Sequence, residues 1–340
     1  MQAGFFDLDD RYRQLDKLGD PLPKLDEVVD WEGFRPVLAR IREKARKSAA
    51  GRKPYDVVLM FKVLVLQHLY NLADEQVEYQ IRDRYSFSRF LGLYPGSAVP
   101  DARTVWLFRE QLKELELVDE LFAELALQID TAGFVSRQGQ IIDASIVEAP
   151  RQRNRRDENE AIKRGESPAQ WEEQPAKKRQ KDVEARWTKK HGKSHYGYKN
   201  HVSIDRRNKV IRHFEVTDAA VHDSQVFDVL IDETNSSRDI WADSAYRSKE
   251  REEALRERGY RSKIHRKGTA NKPLSERAQE ANRKRSQVRA RVEHIFAAQQ
   301  AMGGKLVRTI GFARARVKIA FVNLVYNMRR LVWLVSQPAV

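Results

Sequence analysis

Residues 138–150, QGQIIDASIVEAP, most constrain the fold, because they set a carboxylate inside an apolar strand pattern. Ile141, Ile142, Ile146 and Val147 form a short hydrophobic run bounded by Gly139 and Pro150, the pattern of a strand covered on both faces. Asp143 interrupts that run. An ionised carboxylate there is costly unless a cation or hydrogen-bond donors meet it. Taken alone, the run also permits a plainer reading, in which the strand stops at Ile142 and Asp143 accepts from a nearby backbone amide.

A second run weighs against the plainer reading. In residues 239–244, DIWADS, the apolar Ile240, Trp241 and Ala242 again end in an Asp followed by small residues. If the two runs are neighbouring strands, about 4.8 Å apart, Asp143 and Asp243 repel each other, and a divalent cation removes that penalty. The small residues after each Asp leave room for a bulky substrate.

The charge distribution suggests what that substrate is. The net charge is +14, yet residues 1–134 carry 19 Lys and Arg against 23 Asp and Glu, net −4, and the remainder 44 against 26, net +18. The basic half holds both Asp runs, which points to a polyanion bound over the carboxylates, nucleic acid first. A purely architectural nucleic-acid binder shares the charge but needs no buried acid pair. No cysteine is present, which excludes disulfides and thiolate-bound zinc and points to a reducing compartment. The longest apolar run, residues 57–70, is broken by Lys62, Gln67 and His68 and is shorter than the ~20 residues a membrane span needs. With no signal-peptide pattern in MQAGFFDLDD, a cytoplasmic protein is expected.

Along the chain, the 340 residues read as two domains. Residues 1–134 are helical, with helix-turn-helix-like pairs that also occur in plain bundles. Residues 34–53 form a basic helix-like segment, Arg35, Arg40, Arg42, Lys44, Arg46, Lys47, Arg52 and Lys53 against Glu43, either a solvated face or a phosphate-contacting arm. An apolar helix at 55–71 follows, then a helix capped by Asp74, another capped by Asp101, and one over 118–129. Residues 135–336 read as a mixed α/β sheet: the Asp143 strand, a hairpin over 196–216, a helix at 222–231, the Asp243 strand, a helix at 249–258 and a short strand at 261–265. Residues 151–193, with 14 basic and 8 acidic residues, read as an inserted mobile loop or helix. A long helix over 274–302 carries Glu293 at the rim of a Val288, Val292, Ile295, Met302 stripe, with Arg289 one turn before it, in the most basic part of the chain. His191, His195, His201 and His222 lack a two-His helical spacing, so zinc is not expected, and Lys199, Asn200 and His201 are better placed to touch DNA.

The order of the acids and seven stretches carry a resemblance. These are residues 51–93 (GRKPYDVVLMFKVLVLQHLYNLADEQVEYQIRDRYSFSRFLGL), then PDARTVWLFRE, IIDASIV, ARWTKKHGKSHYGYKNHVSID, VHDSQ, WADSAYRS and VRARVEHIFA. Nearly the whole chain resembles the DDE transposases of bacterial insertion sequences, the insertion-sequence-five family most of all. The resemblance implies a ribonuclease H-like core behind an all-helical N-terminal domain that binds terminal repeats. Asp143, Asp243 and Glu293 then take the catalytic and metal-binding positions, with two Mg2+ ions that Mn2+ can replace. Arg289, Arg285, Lys199, Asn200, His201, Arg52 and Lys53 become candidate DNA contacts. The implied partner is double-stranded DNA, transposon ends and target, with a homodimer or larger assembly on DNA and no membrane, in a nucleoid-associated cytoplasmic protein. Ser286 and Gln300 depart from the Tyr and Lys that often accompany the third acid in this class. Another nuclease of the same fold, such as a junction resolvase, and a catalytically inactive DNA-binding descendant are the rival readings.

Overall fold

Side-chain caps start two of the N-terminal helices, and buried apolar residues hold the others in place. The computed structural model describes residues 7–43, 53–94, 96–190, 192–269, 271 and 273–338. The chain divides into two compact units, residues 1–132 with 324–340, and residues 133–323.

The first unit is helical: α1 (Asp7–Lys17), α2 (Leu22–Val28), α3 (Arg35–Ala39), α4 (Val57–Leu69), α5 (Asp74–Asp83), α6 (Tyr85–Phe90), α7 (Ala102–Glu114) and α8 (Val118–Thr131). Asp56 starts α4 by accepting from the amides of Val58 and Leu59 at 2.9 and 3.1 Å, and Asp101 starts α7 by accepting from Thr104 N at 2.6 Å. The expected Asp74 cap differs. Ala73 takes the cap position, and Asp74, one residue inside, pairs with Arg109 at 2.8 Å and with Gln67. Helix α4 is buried nearly all round, because Val58, Phe61, Leu64, Val65 and their neighbours leave it no polar face. It meets α5 at 103° across a short break. No single helix among the described residues is long and apolar enough to cross a membrane.

The second unit is built on six strands: β1 (Gln140–Glu148), β2 (Arg186–Lys190), β3 (Lys193–Asp205), β4 (Ile211–Asp218), β5 (Asp239–Trp241) and β6 (Arg261–Ser262). The sheet order is β2-β3-β1-β5-β6, with β4 also on β3. The long β3 runs antiparallel to β1, β2 and β4, whereas β5 runs parallel to both β1 and β6. Strand alternation divides the core. Ile142 packs with Phe227, Leu230, Ile240 and Tyr246 on one face, and Val147 packs with Tyr198, Val216, Val307 and Ile319 on the other. Two glycines allow strands to meet closely. Gly139 has φ +88°, with Asp239 O 2.6 Å from where a Cβ would sit, and Gly197 has φ +150°, with Val147 O at 2.2 Å.

The remaining helices are α9 (Arg156–Lys163), α10 (Pro175–Arg179), α11 (Lys249–Glu257), α12 (Glu276–Ala301) and α13 (Phe312–Val335). The insertion, expected as a mobile loop or helix, contains the two short helices α9 and α10. Trp171 is fully buried and donates to Glu158 Oε1 at 2.8 Å, Lys177 binds the same oxygen at 2.5 Å, and β2 joins the sheet. One large apolar anchor with a paired acid outweighs the charge around it. The helix expected over 222–231 is instead two 3-10 turns, Asp223–Val226 and Asp228–Leu230. Residues 324–335 of α13 belong with the first unit, so the C-terminal end of the sheet unit lies nearer residue 323 than 336. There Arg329 and Val332 line an apolar pocket with Leu22, Leu25 and Leu69.

Candidate active site

The register of the parallel pair places the two aspartates. Gln140 pairs with Ile240 and Ile141 with Trp241, so continuing two residues along each strand brings Asp143 beside Asp243. Asp243 lies two residues beyond the end of β5 and starts a 3-10 turn over Ser244–Tyr246, its Oδ1 accepting from Ala245 N at 2.7 Å. Asp143 stays within β1, with Oδ1 on its neighbour's amide, Ala144 N, at 2.8 Å, as the plainer reading supposed. The strand nevertheless continues to Glu148, and the other oxygen is taken by a cation. Arg289 of α12, 146 positions away in sequence, donates from Nη2 to Asp143 Oδ2 at 2.8 Å.

The electrostatics follow from this arrangement. Burial raises the Asp143 carboxyl above its ordinary range, Arg289 opposes the shift, and the Asp243 charge adds to it. Tyr246, on the turn after Asp243, is fully buried with its hydroxyl unpartnered among the described residues, and the charges of Asp143, Asp223 and Asp243 add to the burial that raises its phenol. His265 lies at the edge of the group. Its Nδ1 is 3.5 Å from Arg289 Nη1 and its Nε2 is 3.3 Å from Ser286 Oγ, and burial together with Arg289 and Arg285 lowers its pKa.

Glu293 follows on the same helix. It lies one turn beyond Arg289 on α12, exposed, between the buried Val292 and Ile295. Among the described residues no three Asp, Glu or His side chains are grouped closely enough to hold one metal ion. The donor chemistry of Asp143 and Asp243, hard carboxylate oxygens with mutual repulsion, fits a divalent cation such as Mg2+.

The proposed DNA contacts fare unevenly. Asn200 is buried, with its amide tied to Asn323 at 2.9 Å and to Gln299 at 3.4 Å, so it joins β3 to the helices rather than facing DNA. His201 is fully buried against Thr217 Oγ1 at 2.9 Å, and burial lowers its pKa to about 4. Lys199 is nearly buried, donating to Asp223 Oδ1 at 2.8 Å and Val221 O at 2.7 Å. These three corrections share one cause, since β3 is flanked on both edges and buried through most of its length. Arg285 is partly buried and donates to Ile264 O at 2.8 Å. Lys53 is exposed, and Arg52 lies outside the described residues, as do Lys44, Arg46, Lys47 and His191. Of the same basic segment, Arg35 is paired with Glu32 and Asp56, and Arg40 with Glu120, which leaves those charges largely balanced.

Sequence reasoning missed the Asp143 partner of Arg289 and the places of Tyr246, Asp223 and His265. Two of these lie in stretches already singled out, WADSAYRS and VHDSQ, which meet where Arg251 donates to Tyr246 O at 2.8 Å and Ser224 O at 2.7 Å.

The transposase DDE domain family matches residues 136–328, and the transposase domain family DUF772 matches residues 9–111. Among solved structures, a cryo-EM structure of a piggyBac transposase synaptic complex with hairpin DNA is similar at TM-score 0.43 and 11% identity, over 89% of this chain and 72% of that one. With more than half of its length matched, the chain belongs to the transposase DDE domain family.

Proposed function

We propose that this transposase binds the terminal inverted repeats of an insertion sequence and catalyses metal-dependent DNA cleavage and strand transfer. The observation that carries the reading is the pair Asp143 and Asp243, set side by side by the parallel β1–β5 register, with Arg289 bound to the first. The seven sequence stretches support membership of the insertion-sequence-five family, and the mixed sheet behind a helical unit supports a ribonuclease H-like core.

Asp143 and Asp243 would hold Mg2+, with Glu293 as a third ligand contributed by α12. Bound metal would supply Lewis-acid activation of the attacking oxygen and charge stabilisation of the leaving one. The chain's own residues position the phosphodiester. Arg289 balances Asp143 in the free protein and presents a guanidinium beside the acid pair, where a phosphate oxygen would arrive. Water attacks phosphorus first and the P–O3′ bond breaks. The freed 3′-hydroxyl then attacks the phosphorus of a target phosphodiester, whose own P–O3′ bond breaks as the new bond forms, the proton of the attacking hydroxyl being balanced by the one taken up by the departing target 3′-oxygen.

End recognition is assigned to residues 1–134, where the 103° crossing of α4 and α5 is that of a helix-turn-helix pair. The exposed side of α5 carries Glu75, Asp83 and Arg82, so the phosphate contacts fall to other parts of the unit, Lys53 among them. Assembly on DNA as a homodimer or larger complex, in a nucleoid-associated protein, completes the proposal. The test is to incubate the full chain with Mg2+ and DNA carrying its gene and flanking sequence, then sequence the products. Flank ends joined to a second DNA support the transposase reading. Cut ends that never join indicate a nuclease instead.

A further inference from the structure

The acid pair does not account for the far end of β1. Where the strand finishes, the segment 305–307 closes on it, Glu148 N donating to Lys305 O and Val307 N to Glu148 O, each at 2.8 Å. Beyond that join lies a cavity of about 320 Å3, walled by residues 149–153, 180–182 and 308–310, at the small end of the range for ligand sites.

Its charge is one-sided. Arg151, Arg153, Lys181 and Arg308 line it with a single acid, Asp182. That acid is buried and already saturated: it accepts from Tyr198 Oη at 2.7 Å, Gly311 N at 3.2 Å, and Glu184 N and Ala185 N at 3.0 Å. Lys181 donates to neutral acceptors, Arg153 O and Asn154 Oδ1, both at 2.8 Å. Arg151 donates to Ser194 O at 3.2 Å and lies over the Trp187 ring. The exposed guanidinium groups of Arg153 and Arg308 make no hydrogen bond or ion pair among the described residues. Two buried polar atoms of the same wall, Gln152 Oε1 and Thr309 Oγ1, also have no partner. Four cations around one cavity with no free carboxylate repel each other, and an anion in the cavity relieves that.

We infer that this cavity holds a backbone phosphate of the DNA cut at the acid pair, with Arg153 and Arg308 supplying charge and the Thr309 hydroxyl a hydrogen bond. The inference rests on the DNA-cutting function proposed above and adds a contact to it. Its place along the DNA follows from β1. Six residues separate Asp143 from Ala149, about 20 Å at ~3.3 Å per residue, or about six base pairs at ~3.4 Å each.

The test uses the full chain, made non-cutting by Asp143→Asn, and a labelled duplex of about 30 base pairs whose binding is followed by anisotropy from low to moderate salt. Each phosphate contact contributes about 0.9 to the slope of log K against log salt. Arg153→Gln with Arg308→Gln should therefore lower the slope by about 0.9, and affinity at about 0.1 M salt roughly eightfold. The control, Arg156→Gln with Lys249→Gln, removes two well-exposed cations elsewhere on the same unit and should leave the slope nearly unchanged. A slope unchanged in the first variant, or lowered equally in the control, overturns the cavity site and leaves the transposase reading standing. Failure of the unsubstituted cavity to bind any duplex overturns both. A free inorganic phosphate site predicts instead that millimolar phosphate protects the cavity while the DNA slope stays fixed, and that result also overturns the inference. Because the chain has no cysteine, a photo-crosslinker on Thr309→Cys attaches at one point. It should label DNA about six base pairs from the cut, and labelling only at remote positions rules the assignment out.

Discussion

Tyr246→Phe isolates one atom, the buried phenol oxygen beside the acid pair. The ring is fully buried against Phe227, with centroids 5.6 Å apart, in the cluster that includes Ile142, Ile240 and Ala242, so phenylalanine keeps the packing. Among the described residues the hydroxyl has no hydrogen-bond partner, and the charges of Asp143, Asp223 and Asp243 act on it. A buried polar group left unpaired costs about 1–3 kcal/mol, and the small void left by its removal takes back less than about 1 kcal/mol. A net gain of about 1 kcal/mol follows, roughly 2–4 °C in Tm for a unit of this size. Calorimetry on the full chain, repeated by urea unfolding, measures it. If the hydroxyl is retained for the reaction, the same variant gains stability and cuts DNA at least about tenfold more slowly, a loss of about 1.4 kcal/mol in the transition state. A variant less stable than the parent by about 0.5 kcal/mol or more shows that the hydroxyl is bonded in the free protein, and the reasoning fails.

Three further outcomes follow. Arg289→Ala leaves the buried Asp143 carboxylate beside Asp243 without its counter-charge, and since both partners keep some exposure the cost is about 1–3 kcal/mol in urea unfolding, with DNA cleavage lost. His201 is held neutral with its pKa lowered to about 4, so its contribution is present above the ordinary value of 6.5 and disappears as pH falls through 4. The stability difference between the parent and His201→Gln should shrink by roughly 3 kcal/mol between pH 7 and 4 when followed by chemical denaturation. Trp171→Ala empties the anchor of the insertion at about 3–5 kcal/mol, and limited proteolysis should then cut first within residues 151–185 while the sheet survives.

The parts legible in sequence are those whose signal is local. Asp143 and Asp243 stand out because an acid inside an apolar run is a contradiction that neighbouring residues alone reveal, and the cap Asp101 sits next to the helix it starts. Partners far apart in the chain were not legible. The bond from Arg289 to Asp143 spans 146 positions, and helical spacing had tied Arg289 to Glu293 instead. Lys199, Asn200 and His201 looked like a polar strand open to DNA, but polarity does not show which strands flank β3, and each side chain is consumed by an internal partner. The insertion shows the opposite case. Its composition is polar, yet the single Trp171 with Glu158 and Lys177 is enough to order it.

The most direct test of the acid pair as the chemical centre is Mg2+-dependent cleavage of DNA carrying the gene and its flanks by Asp143→Asn, Asp243→Asn and Glu293→Gln, with DNA binding measured in parallel. Each variant should bind DNA as the parent does and produce no cut strands, with or without Mn2+ in place of Mg2+. Cleavage retained by Asp143→Asn or Asp243→Asn contradicts the account, and cleavage retained by Glu293→Gln alone removes that residue from the site.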